Sequence, residues 1–533
     1  MAFPRRFADP PTSQTLTGWR PWCVETWAST CDRVVLISCI AAVVVGSAPA
    51  FLRPFINDES SYALVAHKLR AGFVMYRDAV DNKPPLIYWT FEFLFWVMGR
   101  VSMTAVKCLT IVVNAFSILL VAAIGRELFD RVVGRWAAFL FAASLILGVA
   151  QDSIATNTET YMNLFTLLGI WLWVGRDAVR WSQGIAGAAF AVAVLYRMQA
   201  AFVVVAAVVA RLVSARFSWR STGEVLRFGL GFLLPVLGVL AVLHHEGSLA
   251  DFLHWTIRDN FFYIGRAAAR VSLAQQLGRV GGTLASQLPL LLAALFAVTA
   301  AREIDPSERT SVGFVLACLG AALVGYQLGG RFYGHYFLQV TPFVSLAAAW
   351  GLARTPLVRL RWLLRLIAPL AIVWVVGFAV INVTILLPPE DDHGDVNRAA
   401  EFIRHTTRSD DQILLWNGSP LVALASDRPF ATRFLNNTAM TGRIWGTTLM
   451  RPEATPEATR PFERPDAWRL FWQDLETAPP AFILDGGRPH FSIAAYPRLA
   501  SFVAEHYRGP QKFGALLLYR RASAGPDENA RTP

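Results

Sequence analysis

Asn57-Asp58-Glu59-Ser60-Ser61-Tyr62, followed some twenty residues later by Lys83-Pro84-Pro85-Leu86-Ile87-Tyr88-Trp89, is the stretch on which the reading of this 533-residue chain turns. It comes directly after the first strongly apolar run. An ionisable group near a bilayer is costly unless it lines water or has partners, so a carboxylate pair at this place is a functional signal. The rest of the chain can be asked whether it supplies those partners.

Working outward, 54% of the residues are hydrophobic and only 16% charged, with a mean hydropathy of +0.41. No ordinary soluble fold has that balance, and the chain reads as a polytopic α-helical membrane protein. The formal charge of +11 would suggest nucleic acid in a soluble chain. Here the arginines fall in short loops between apolar runs, which is an orientation signal, and no nucleic-acid partner is expected. The cysteines, Cys23, Cys31, Cys39, Cys108 and Cys318, have neither disulfide-framework nor metal-ligand spacing.

Eleven apolar runs, near 33–52, 105–125, 136–150, 160–174, 183–196, 199–214, 228–245, 281–300, 311–328, 336–353 and 366–387, are predicted to span the membrane. Several fall short of the roughly 20 residues a straight span needs, so tilts or breaks are expected. With segment 1–32 cytoplasmic and retained rather than cleaved as a signal peptide, the inside loops 126–135, 175–181, 211–227, 301–310 and 354–365 are all Arg-rich. The segments 53–104, 151–159, 246–280 and 329–335 and everything after 388 then lie outside. Tyr62, Val65, Ala66 and Leu69 recur at helical spacing after Asn57 or Asp58, predicting an interfacial helix. Residues 86–98 are too few to span and predict a second. The aromatic and basic segment 246–280 predicts another surface helix.

Past 388 the chain becomes polar. Pro388-Pro389 and Glu390-Asp391-Asp392 read as a linker, with helices over 395–408, 467–477 and 495–507 and strands at Ile413–Trp416, Ala481–Leu484 and Ala515–Tyr519. Alternating strands and helices predict a small extracytoplasmic α/β domain over 388–521, followed by a disordered tail, 522–533.

With these pieces assembled, Asn57-Asp58-Glu59, the nearby Tyr62, the turn from Gly72 to Tyr76, and Lys83-Pro84-Pro85-Leu86 with Tyr88-Trp89 resemble the lipid-phospho-sugar glycosyltransferases of the GT-C superfamily. The resemblance is to the protein O-mannosyltransferases and to the bacterial branch containing the lipid A aminoarabinose transferase. It covers residues 33–387 and is sharpest in the first outer loop. It implies a hexosyl- or pentosyltransferase in the bacterial inner membrane, with a polyprenyl-phosphate-linked sugar as donor and a glycan, lipid or protein as acceptor. It implies no cofactor and no metal, since the Asp-x-Asp of the metal-using oligosaccharyltransferase branch is missing.

Residue by residue, the resemblance makes Asp58 the base that deprotonates the acceptor hydroxyl, with Glu59 orienting the acceptor or holding a neighbouring cation. Lys83, presented from a stiff segment ahead of two prolines, suits a phosphate as a point charge. Arg331 and His335, in Arg331-Phe332-Tyr333-Gly334-His335-Tyr336, resemble the cluster that grips the lipid phosphate. Tyr62, Tyr88, Tyr336, Glu159 and Asp152 are candidates to line the cavity or bind the acceptor, the two acids competing for one role. Arg197 matches a position where relatives often hold lysine.

Each of these has a blander reading. Asp58 can simply cap the helix from Ser60, Lys83 can snorkel, and the 331–336 segment or Arg197 can be an interfacial anchor. Two other classes compete: a transporter or lipid-linked-sugar flippase, for which charges within spans and repeated halves are expected, and a receptor whose soluble domain binds ligand.

Overall fold

The computed structural model describes residues 30–52, 55, 58–148, 152, 155–175, 181–216, 218–261, 265, 271–355, scattered positions from 365 to 384, 390–486 and 489–522. The expected N-terminal segment, the eleventh span at 366–387 and the tail lie largely outside these residues.

Thirteen helices precede residue 356 among the described residues, leaving aside single turns: α1 Thr30–Ser47, α2 Asp58–Arg70, α3 Leu86–Met98, α4 Met103–Leu128, α5 Arg131–Ile146, α6 Thr158–Val174, α7 Ser182–Tyr196, α8 Ala200–Ser214, α9 Trp219–His245, α10 Leu273–Ser286, α11 Leu288–Ala300, α12 Arg309–Gln327 and α13 Thr341–Arg354. Local chemistry sets several boundaries. Ser102 caps α4 by accepting from the Ala105 amide, and Asp130 caps α5 by accepting from Val132 and Val133. Gly99 closes α3 in the left-handed conformation that a side chain would oppose.

The predicted interfacial helices are α2 and α3, and ten of the eleven predicted spans coincide with helices. Among the described residues four helices are long and apolar enough to cross a bilayer: Thr30–Leu52, Met103–Leu128, Ser221–His245 and Arg309–Gln327. The run at 281–300 is not one straight helix. It belongs to Leu273–Ser286 and Leu288–Glu303, which bend by 79° and make a fifth crossing if taken together. The run at 336–353 starts as a 3-10 turn, Gly334–Gln339, before α13. The expected surface helix within 246–280 is a short helix, Leu249–Phe252, running into a π-helical turn, Leu253–Arg258.

Side chains join loops at the same predicted end. Arg354 pairs with Asp130 (2.8 Å) and Glu308, and Arg211 with Glu224 (2.9 Å), all from predicted inside loops. The predicted outer segments meet one another likewise. Asn260 donates to the Asn82 carbonyl (2.7 Å) and Arg279 to the Arg331 carbonyl (2.8 Å). Between the two ends the helices pack tightly: a methyl group on Gly187 would overlap the Phe228 carbonyl, so α7 and α9 approach backbone to backbone.

After residue 389 the chain builds α14 Glu390–Thr406, β1 Ile413–Trp416, α15 Pro420–Ser426, α16 Ala467–Thr477, β2 Phe482–Asp485, α17 Pro497–His506, β3 Tyr507–Phe513 and β4 Leu516–Arg521. The sheet order is β1-β2-β4-β3, with β1 parallel to β2 and the other pairs antiparallel. Two expectations are corrected. The acidic triplet read as linker opens α14, and β3 was not foreseen because its residues Arg508 to Lys512 are exposed and lack apolar alternation.

This unit docks on α2 and the turn behind it. His67 meets Asp427 at 2.9 Å, and Lys68 donates to the Thr432 carbonyl at 2.8 Å from between the Phe73 and Phe430 rings. Burial lowers the Lys68 ammonium to about 7. The Val80 amide donates to the Arg433 carbonyl at 2.7 Å, and Asp259 pairs with Arg464.

Candidate active site

Asp58 opens α2, and Lys83 ends the turn that precedes Pro84, Pro85 and α3. That turn is fixed from three sides. The Tyr76 hydroxyl donates to the Lys83 carbonyl at 2.8 Å, Asn260 donates to the carbonyl of Asn82, and Val80 is paired to the C-terminal unit. The lysine is thereby delivered to the helix start: its Nζ lies 3.0 Å from Asp58 Oδ2, which also accepts from the Tyr62 hydroxyl at 3.2 Å. The ammonium sits 4.8 Å from the centre of the Tyr62 ring.

The Asp58 side chain is 41% exposed and that of Lys83 20%, so the pair faces open space. Burial works to raise the Asp58 carboxyl. The charges of Lys83 and His335 and the hydrogen bond from Lys83 outweigh it and hold the group well below the usual carboxylate range. Against the opposing pull of burial, Asp58 holds the Lys83 ammonium well above its usual value.

Around this pair stand further cation–acid pairs. Arg197, just past α7, is buried 3.0 Å from Glu159, donates to the Thr158 hydroxyl at 3.0 Å, and lies 4.4 Å over the Tyr336 ring. His335 Nδ1 is 3.5 Å from Asp152, and its ring stacks on Tyr333. The pairs share one electrostatic neighbourhood, because His335 and Arg197 both act on Asp58, and Glu159 and Arg197 both act on Tyr62. Asp152 and Glu159, the two acids expected to compete for one role, each pair with a cation of their own.

The remaining candidates fall differently. Glu59 is the neighbour of Asp58 in sequence, but one residue advances a helix by about 100°. Its carboxylate is fully buried, paired with Lys107 of α4 and accepting from the Thr156 amide. Closed off from solvent, it holds a neighbouring cation, the second of the two roles the resemblance implies for it. Tyr88 is fully buried too, edge-on to Tyr62 at 5.8 Å, and supports the site from behind instead of lining it. Arg331 is buried, its carbonyl held by Arg279. Arg279 also donates to the Gly446 carbonyl at 2.8 Å and stacks on Tyr333, so a loop of the C-terminal unit closes on the 331–336 segment.

Sequence reasoning missed Lys107 and Arg279. Lys107 had a visible signal, since it is a charge inside the apolar run 105–125 and therefore needs a partner. Its partner proves to be Glu59. Among the described residues no group of three or more His, Cys, Asp or Glu side chains could hold a metal ion.

Burial opposes protonation of His335, but Asp152, Glu159 and Asp58 together raise its pKa above the ordinary 6.5. A raised pKa means that the folded site favours the imidazolium. That contribution is complete below 6.5 and fades as the pH climbs through the raised value. Thermal unfolding of wild type and His335→Gln measured from pH 5.5 to 9 is expected to show a gap that closes as the pH rises.

The class follows from comparison with solved structures: a bundle of apolar helices with an α/β unit packed against one end has the GT-C fold of multi-pass membrane proteins. The structure of ArnT from Cupriavidus metallidurans bound to undecaprenyl phosphate superposes with a TM-score of 0.63 at 15% identity, covering 94% of this chain and 100% of that one. The apo oligosaccharyltransferase of Archaeoglobus fulgidus gives 0.52 at 11%, covering 85% of this chain and 69% of that one. The archaeal oligosaccharyltransferase AglB from Archaeoglobus fulgidus, in complex with an inhibitory peptide and a dolichol-phosphate, gives 0.50 at 11%, covering 94% of this chain and 76% of that one. Residues 82–241 match the family model for dolichyl-phosphate-mannose-protein mannosyltransferase. No curated protein sequence matches. The chain thus shares its fold with the GT-C membrane proteins of known structure, and residues 82–241 are similar to the mannosyltransferase family model.

Proposed function

We propose that this protein transfers a sugar from a polyprenyl-phosphate donor to a hydroxyl of an envelope glycan, lipid or protein, on the outer face of the bacterial inner membrane. The observation that carries this reading is the juxtaposition of a half-exposed Asp58 with Lys83, inside a neighbourhood that also holds Arg197 and His335. A sugar on a lipid phosphate is already activated. Its transfer needs a base for the incoming hydroxyl and countercharge for the departing phosphate.

In the proposed step the acceptor oxygen attacks the anomeric carbon while its proton passes to the Asp58 carboxylate. The bond from that carbon to the phosphate oxygen breaks, and the electron pair leaves on the lipid phosphate beside Lys83, with Arg331 and His335 as further cations. A single displacement inverts the anomeric centre. The undecaprenyl phosphate and dolichol-phosphate bound by the ArnT and AglB structures favour a lipid phosphate as the donor's carrier. In this proposal residues 33–387 form the catalytic domain and 388–521 an extracytoplasmic domain that completes the acceptor side.

The test pairs mass spectrometry of envelope glycans from a deletion strain with assays of the purified protein on a panel of undecaprenyl-phosphate-linked sugars. Expected are a missing glycan substituent and release of undecaprenyl phosphate that depends on Lys83. Unchanged glycans with no donor consumed would overturn the proposal.

A further inference from the structure

Lys83 is asked to do two things that its geometry in this structure does not let it do at once. Its ammonium is 3.0 Å from Asp58, yet the proposed reaction needs it on the donor phosphate and needs Asp58 free to take a proton. An aspartate gripped by an ammonium is a poor base, since its negative charge is already satisfied. Tyr62 touches both partners: the hydroxyl donates to Asp58 at 3.2 Å, and the ring face lies under Lys83 with its centre 4.8 Å from Nζ. The ring is immobile, 1% exposed and edge-on to Tyr88 and Phe91, each at 5.8 Å. The lysine backbone is equally fixed by the Tyr76 bond to its carbonyl and by the two prolines that follow. What is left mobile is the ammonium, over an aromatic face that attracts a cation wherever on it the cation sits.

We propose that Tyr62 is a positioning residue for a lysine exchange: the arriving donor phosphate draws Lys83 across the Tyr62 ring and off Asp58, which keeps only the Tyr62 hydroxyl and becomes competent as the base. The inference rests on the proposed function and adds order to it. The donor binds first and switches on the base, so that without donor the carboxylate stays locked. The phosphate and Asp58 compete for one ammonium, and that competition can be measured without knowing sugar or acceptor.

The measurement is the affinity of the detergent-solubilised full-length protein for undecaprenyl phosphate, with undecaprenol as control. Asp58→Asn, and Asp58→Ser as a second uncharged polar residue, should tighten undecaprenyl phosphate about ten-fold, the size expected of one charge-assisted hydrogen bond. In a Lys83→Ala background the tightening should vanish. If it persists, loss of charge repulsion explains it and the exchange is overturned. Tyr62→Phe keeps the ring but leaves Asp58 more dependent on Lys83. It should weaken the lipid phosphate a few-fold in the wild-type background and not at all beside Asp58→Asn. Tyr62→Leu should weaken it in both. Equal effects of the two Tyr62 variants beside Asp58→Asn would reject the ring's role, and unchanged affinity in Asp58→Asn would reject the exchange itself. Wild-type protein that prefers undecaprenyl phosphate no more than undecaprenol would instead bring down the proposed function and the exchange with it.

Discussion

Asp58→Asn is expected to lower sugar transfer by about a thousand-fold, within the range that removal of a general base costs, while the protein still folds. The fold survives because of where the residue sits. Its side chain is 41% exposed, and asparagine serves as well as aspartate at a helix start. The Tyr62 hydroxyl can still donate to an amide oxygen in that place. Activity goes because an amide cannot accept the acceptor's proton at any working pH. The check is turnover under saturating donor beside a melting curve of the same preparation. A melting temperature near that of the wild type with transfer also near wild type would remove Asp58 from the chemistry, and would leave it as the first residue of α2 with an incidental lysine partner.

That first loop was legible in the sequence to a degree that the rest of the site was not, and the reasons are physical. Asp58 and Lys83 stand in the chain beside features that fix their backbone, a helix start and a double proline, so their presentation could be read locally. The helices α2 and α3 were foreseen because apolar spacing and a length too short to span are properties of one segment. The partners of the cluster were harder. Arg197, Glu159, His335 and Asp152 come from four places in the chain, and only the packing of α6, α7 and the 331–336 segment says which acid meets which cation. The same holds for the closure by Arg279 and Gly446, which joins residues 167 apart. The bend at Gln287 was marked in the sequence, by Pro289 in the first turn of α11, but the apolar residues on both sides of it read as one run. The open strand β3 escaped because exposed residues carry no period.

The adjacent carboxylate reverses the outcome expected for Asp58. Glu59→Ala is expected to cost about 3–5 kcal/mol of stability, the penalty for leaving a buried ion pair with one charge unmatched, and the protein should be lost from the membrane before its activity can be judged. The orphan would be Lys107, 3% exposed in α4, together with the Thr156 amide that donates to the same carboxylate. Thr156 leads into α6 through Asn157, so this one carboxylate ties α2, α4 and the start of α6 and sets the floor on which Asp58 and Glu159 stand. The sequence shows a pair of acids, and one turn of geometry separates them: a residue step of about 100° puts Asp58 in the cleft and Glu59 in the core. Replacing both members, Glu59→Met with Lys107→Met, removes the unmatched charge and should recover most of the lost stability, as apolar replacements of buried ion pairs often do. If Glu59→Ala alone were as stable as the wild type and lost only acceptor affinity, the carboxylate would be a contact for the acceptor after all, and the burial that separates it from Asp58 would have to open during the reaction.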